Sequence, residues 1–306
     1  MRSSKSLKKQ WQRAEVKPGD TVLEDARPND IIILVMGPPG VGKSTFINTA
    51  AGKSLTKVGH GLESCTVAMQ HAIFPYPYNP SRRIVFVDTP GFDDTYQDDA
   101  EILRRIAVWL ARSYNDDVKL SGIIYLHDIS QPRVVGGASR KNFDMMEKLC
   151  GADASQNVIL ATTKWGNVKA DVAARREHQL REYWKEMIDQ GCELTRFTGS
   201  RESAWDIVDS TTRKPLLESL QIQNELVDLG RYIPETAAGN TLRASLKELV
   251  AAHKKTIIEL RNTKENSDDV QLRLKDNEDR IRTLLDQIQT LQVPASRRIL
   301  GFIGVR

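Results

Sequence analysis

From residue 30 onward, continuous apolar runs alternate with amphipathic stretches. The runs at 31–36, 84–87, 122–126, 158–162 and 194–197 are strand candidates. Between them, apolar residues at three- and four-residue spacings predict helices at 43–51, 98–113, 139–149, 172–189 and 202–208. This alternation predicts an α/β fold, a three-layer αβα domain with a mostly parallel sheet and a helix in every crossover. The turn formers in 209–215 mark its end, and a tail dominated by Leu, Glu, Lys, Arg and Gln follows.

In that tail Val270, Leu274, Asn277, Ile281, Leu284, Ile288 and Leu291 step by four and three and stop before Pro294. Such a stripe suits either a two-stranded parallel coil, in which Asn277 sets the register, or a helix folding back on its own domain. Residues 1–29 mix charge, Pro and Gly without periodicity and bury too little to offset the entropy of ordering. The expected organisation is a flexible segment 1–29, an α/β domain 30–212, a helical or coiled-coil extension 213–293 and a tail 294–306.

Composition narrows the partners. Hydrophobic residues make up 40% and charged residues 27% of the 306 residues, the usage of a soluble globular protein. The net charge is +4, but Lys/Arg and Asp/Glu are interspersed, so no basic stripe tracks a nucleic acid. Arg2, Lys5, Lys8, Lys9 and Arg13 read as a solvated head, and membrane association has no positive support. Cys65, Cys150 and Cys192 share no metal-type spacing, which suits reduced thiols and a cytoplasmic location. The runs 31–36 and 299–305 are too short to cross a bilayer, and no apolar core follows the N-terminal basic residues.

The chemistry concentrates after the first strand. Gly37-Pro38-Pro39-Gly40-Val41-Gly42-Lys43-Ser44 satisfies G-x-x-x-x-G-K-[ST] between an apolar run and a helix. Backbone N–H groups turned inward by this loop cradle phosphates, Lys43 places a point charge near the β and γ oxygens, and the helix start at Ser44 and Thr45 adds partial positive charge. Ser44 is the natural Mg²⁺ ligand. The run 84–87 ends in Asp88-Thr89-Pro90-Gly91, where Asp88 can hold Mg²⁺ through water. Without a side chain, Gly91 lets its N–H approach a γ-phosphate, so residues 92–95 can sense that phosphate. In Gly61-Leu62-Glu63-Ser64-Cys65-Thr66-Val67, Thr66 is placed to offer its hydroxyl to Mg²⁺, with Thr56 as the alternative.

Asp88-Thr89-Pro90-Gly91 resembles the switch II motif of translation-factor-class GTPases. Together with residues 37–44 and Ser64-Cys65-Thr66 it resembles the septin-like GTPases: septins, GTPases of immunity-associated proteins and chloroplast import receptor GTPases. The likeness is strongest to fungal G-domain proteins and spans about residues 31–250. It is carried further by Leu126-His127-Asp128-Ile129-Ser130 with Arg133 and Gly136, Thr162-Thr163-Lys164-Trp165, Glu202-Ser203-Ala204-Trp205 and Pro234-Glu235-Thr236-Ala237-Ala238-Gly239.

The resemblance implies GTP/GDP and Mg²⁺ as cofactors and a switch or assembly role. It implies guanine reading by an Asn/Thr-Lys-x-Asp motif, which here is Thr163-Lys164-Trp165-Gly166. Lys164 can lie along a base and Trp165 offers a flat surface, but Gly166 has no carboxylate, which predicts relaxed base selection, with Asn167 a weak substitute. The loop Thr198-Gly199-Ser200 takes the place of the fifth motif, and Ser203-Ala204 is the alternative register. Phe92 stands where many GTPases carry a water-orienting Gln, so intrinsic hydrolysis is expected to be slow. Arg133 is then the candidate catalytic arginine, supplied in trans by a partner G domain in a homodimer. A P-loop ATPase or nucleotide kinase, and a non-catalytic nucleotide-binding scaffold, remain open.

Overall fold

The computed structural model describes residues 19–21, 23, 25–56, 68–92, 98–132, 137–263 and 267–293. The first apolar run is strand β1 (Ile31–Met36), buried throughout. Ile31, Ile33 and Val35 enter one core and Ile32, Leu34 and Met36 another, the period-two alternation of a strand covered on both faces. Helix α1 (Lys43–Ala51) follows, then strands β2 (Gln70–Tyr76) and β3 (Asn79–Asp88) as an antiparallel hairpin. The chain continues through α2 (Asp99–Asn115), β4 (Gly122–Asp128), α3 (Gly137–Cys150), β5 (Val158–Thr163), α4 (Ala170–Tyr183), α5 (Lys185–Asp189), β6 (Glu193–Arg196) and α6 (Arg201–Thr212).

The six strands lie in the order β2-β3-β1-β4-β5-β6, parallel except for β2. Phe46, Ile47 and Ala50 of α1 share one core with Ala204, Trp205, Ile207 and Val208 of α6. Helices α2, α3, α4 and α5 bury residues in the other core. This is a three-layer α/β domain. The expected strands and helices are all present, with three corrections.

Strand β2 was not foreseen, and the β2–β3 connection carries no helix. Only Ala72 and Phe74 of β2 are buried, because an edge strand has no continuous apolar run to display, and Pro75 is tolerated there. The single helix expected over 172–189 is broken at Trp184, which caps α4 with non-helical backbone angles. Its ring is buried and stacks on Phe143 of α3 at 5.6 Å, a tertiary contact that outweighs helix continuity. Helix α6 runs to Thr212, into the stretch expected to be turn, where Thr211 and Thr212 donate their hydroxyls to the carbonyls of Val208 and Asp209.

Beyond α6, a short helical segment (Gln221–Gln223) continues as a π-helical turn (Asn224–Asp228), followed by α7 (Ala237–Asn262) and α8 (Asp268–Thr290). Leu217, Leu220, Ile222, Leu226, Leu242, Leu246 and Leu291 belong to the core that also holds α2 and α3. Helix α8 lies antiparallel on α7: His253 Nδ1 meets Asn277 Oδ1 at 2.7 Å, Arg261 pairs with Glu278 at 2.9 Å, and Arg243 donates to the Leu291 carbonyl. The heptad stripe is therefore used within the chain. Val270 and Leu291 are buried, and Leu274, Asn277, Ile281, Leu284 and Ile288 are half-buried, so Asn277 faces α7 of its own chain.

The Pro234 to Gly239 motif is the joint that starts α7. Thr236 caps it by accepting from Gly239 N at 3.0 Å, and the buried Glu225 carboxylate accepts from Ala237 N. A Cβ on residue 239 would lie 2.0 Å from the Ile233 carbonyl oxygen, so only glycine fits. Among the described residues, no helix is long and apolar enough to cross a membrane.

Candidate functional site

The carboxyl ends of β1, β3, β4 and β5 open toward one another around the loop between β1 and α1. Strand β1 sits between β3 and β4, so the loop leaves the sheet where chain direction diverges, the position where open α/β sheets hold ligands. Gly42 is the N-cap of α1 with φ 105° and no side-chain cap. A left-handed residue there keeps the first N–H groups of the helix turned toward the loop, where they favour an anion.

Lys43 is buried, and its Nζ donates to the carbonyls of Gly37 at 2.9 Å and Pro38 at 3.0 Å. Its ammonium thus lies over the loop that would receive phosphates. Ser44 Oγ donates to Asp88 Oδ2 at 2.9 Å. Asp88 is fully buried at the end of β3, aligned with Val35 of β1, and the next residue is pinned as Thr89 Oγ1 donates to the Val35 carbonyl at 2.9 Å. A hydroxyl and a carboxylate side by side form a hard-oxygen donor pair of the kind Mg²⁺ takes. Gly91 closes the site: a Cβ there would lie 2.6 Å from Pro39 N and 2.7 Å from Gly37 O.

The end of β5 is tied to the same loop. Thr163 Oγ1 donates to the Val41 carbonyl at 2.8 Å. Lys164 adopts a left-handed backbone, φ 59°, and its Nζ pairs with Asp128 Oδ2 at 2.9 Å. Asp128 also accepts from Ser130 N and Oγ and from Gln131 Nε2. Burial pushes this carboxyl up, and the hydrogen bonds from Ser130, Lys164 and Gln131 outweigh it, leaving the group below the ordinary Asp value. Neighbouring His127 is held down at about 4 by burial.

Trp165 differs from expectation. Its Nε1 donates to the carbonyl and hydroxyl of Thr162, and the Arg196 guanidinium, held by Glu177, sits 4.4 Å from the ring centroid. One face of the indole is thus already occupied. Gly166 is exposed, and a Cβ added there would meet nothing within 4 Å. The side chain of Asn167 is exposed, and its N–H closes the turn onto the Lys164 carbonyl.

The two registers considered for the β6–α6 loop form one cap. Ser200 accepts from Ser203 N at 3.1 Å, Ser203 Oγ accepts from Thr198 N at 3.2 Å, and Gly199 between them has positive φ. Thr56 Oγ1 is engaged with the Ser44 carbonyl and Asn48 Oδ1. Thr66, Cys65 and Arg133 lie outside the described residues. Cys150 and Cys192 are buried free thiols, the latter pushed up to about 12 by burial.

The structure thus gathers Lys43, Ser44, Asp88, Gly91 and Thr163 around one loop. Residues 32–164 match the family model described as 50S ribosome-binding GTPase. This chain carries a P-loop GTPase G domain. Among solved structures, the chain is similar to Toc33 from Arabidopsis thaliana in complex with Mg²⁺ and GMPPNP, at 14% identity and a TM-score of 0.46, covering 61% of this chain and 86% of that one. It is also similar to the elongation factor SelB from Methanococcus maripaludis with the GTP analogue GPPNHP, at 12% identity and a TM-score of 0.41, covering 61% and 35%. A third is Era in complex with MgGDPNP and a 16S ribosomal RNA segment, at 17% identity and a TM-score of 0.40, covering 63% and 59%. No curated protein matches the sequence.

Two side chains of the G domain escaped the sequence reading. Asn142 of α3 holds the Phe92 backbone, and Lys141 pairs with Asp99 at the start of α2. Fifty residues separate Asn142 from Phe92, and no local motif announces the contact.

Proposed function

We propose that this G domain is a Mg²⁺-dependent GTP-binding switch or assembly module with slow hydrolysis, assisted when two G domains pair. The observation that carries this reading is the convergence of Lys43, Ser44, Asp88 and Gly91 on one loop. Lys43 can exchange its two carbonyl partners for β and γ oxygens, and the Gly91 N–H can meet a terminal phosphate. Ser44 and Asp88 are the residues that would hold Mg²⁺, whose chemistry is to neutralise charge shared between β- and γ-phosphates.

The expectation of slow hydrolysis is supported by Phe92, which is 2% exposed and belongs to the core. A buried phenyl ring neither accepts nor donates a proton and cannot orient water, so help must come from outside this segment. Arg133, which follows Pro132 in the chain, is the side chain we assign to that task in trans. Thr66 is assigned the third Mg²⁺ contact in the triphosphate state. Buried reduced thiols suit a cytoplasmic protein.

The base is read through Lys164 with modest selectivity, since residue 166 supplies no acceptor. That same glycine favours a second reading, an ATP-using P-loop protein. Binding of GTP and ATP with and without Mg²⁺, and phosphate release per site across protein concentrations, test both. Stronger GTP binding and turnover that rises with concentration and falls in Arg133→Ala are expected. ATP preference would favour the second reading, and concentration-independent turnover would remove the pairing.

A further inference from the structure

Two consecutive side chains of α3 grip the two ends of the segment that follows Gly91. Asn142 is 3% exposed. Its Oδ1 accepts from Phe92 N at 2.9 Å, and its Nδ2 donates to Phe92 O at 2.6 Å. This is the reciprocal pairing of two residues opposite each other on antiparallel strands, made here by one side chain. Lys141, also buried, pairs with Asp99 in the first turn of α2. Phe92 and Asp99 are thus held by adjacent residues of α3.

Gly91 faces the other way. It abuts Pro39 N and Gly37 O so closely that no side chain fits, and having none it cannot hold its own position by packing. Its N–H is therefore aimed by what holds its neighbours. Thr89 is fixed to the Val35 carbonyl on one side and Phe92 to Asn142 on the other.

We propose that Asn142 is a positioning residue that sets the preference for a nucleoside triphosphate over a diphosphate. It holds the Phe92 peptide so that the Gly91 N–H lies where a terminal phosphate arrives. This rests on the nucleotide-binding reading above. The loop amides and Lys43 would cradle the α- and β-phosphates, whereas the two bonds of Asn142 described above go to the Phe92 backbone, so its removal separates the two nucleotide states.

The test compares affinities of the full chain for Mg-GDP and for a non-hydrolysable Mg-GTP analogue. In Asn142→Ala the triphosphate analogue is expected to bind about tenfold more weakly while the diphosphate stays within about twofold. Asn142→Asp keeps the acceptor for Phe92 N but sets a carboxylate against Phe92 O, so its loss should be at least as large. Met146→Ala is the control: it empties a fully buried site on the same helix and should lower thermal stability without changing the ratio. If Asn142→Ala does not fold, Asn142→Ser, whose hydroxyl cannot span both partners, carries the same expectation. An unchanged ratio in the Asn142 variants, or an equal change in Met146→Ala, overturns the proposal alone. A wild-type chain that binds neither nucleotide overturns the nucleotide reading and this proposal together.

Discussion

The Ser44 hydroxyl at the start of α1 donates to the Asp88 carboxylate at the end of β3, 2.9 Å away and 44 residues distant in sequence. The two groups belong to different motifs and meet only because β1 and β3 pair in parallel with Val35 opposite Asp88. Ser44→Ala should therefore weaken triphosphate binding in Mg²⁺ by tenfold or more, yet match wild type within about twofold in EDTA. A fluorescent nucleotide titrated under both conditions measures this. An equal loss with and without the metal would show that Ser44 contacts phosphate rather than the cation.

Gly166 has room for a larger residue, since a Cβ there meets nothing within 4 Å. Gly166→Asp should restore an acceptor for the guanine N–H groups and raise the GTP-to-ATP affinity ratio at least tenfold. Competition between the two nucleotides on the variant and the wild type is the measurement. No change in the ratio would place the base away from this turn.

Trp109 Nε1 donates to His71 Nε2 at 3.0 Å, a contact that needs the unprotonated nitrogen. Burial holds His71 down at about 4 against an ordinary 6.5, and His127 is held at about 4 for the same reason. As pH falls from 6.5 toward 4 the unfolded chain takes up protons that the folded chain refuses. Stability is therefore level above this window and declines through it, by on the order of 2–3 kcal/mol per histidine at the acid end. Urea midpoints from pH 7 to 4 should fall, and His71→Asn should flatten the slope. An identical slope in the variant would count against His71.

Leu246 of α7 is fully buried in the core that also holds α2 and α3. Leu246→Ala should cost about 2–5 kcal/mol, and thermal melting of both proteins should show one transition, with nucleotide protection lost at the same temperature. Two separable transitions would mean that the extension folds independently of the G domain.

Much of the nucleotide site was legible because its chemistry is local. Residues 37–44 need only a tight loop between a strand and a helix, and eight consecutive residues encode that through glycines and the Lys-Ser pair. Asp88 was legible for a similar reason: a carboxylate that ends a buried strand has few structural uses. Strand β2 escaped because edge position, rather than apolar pattern, makes it a strand. The break at Trp184 escaped because 172–189 reads as one helix until the indole finds Phe143. Trp165 was legible as an aromatic beside Lys164, but that Arg196 covers it depends on β5 and β6 lying side by side.

The heptad stripe shows the division most plainly. Its spacing determined that α8 would be a helix with one apolar face, since a period near 3.5 is a property of the chain itself. Which surface covers that face is decided by competition among every apolar surface within reach, and α7 of the same chain was already held against α3 and nearby. Likewise the sequence alone determined a tight glycine-rich loop between a strand and a helix and a carboxylate at the end of a buried strand. Only the tertiary structure brought Asn142 to Phe92 and Ser44 to Asp88, because hydrogen bonds between distant residues depend on packing geometry that no short stretch of sequence contains.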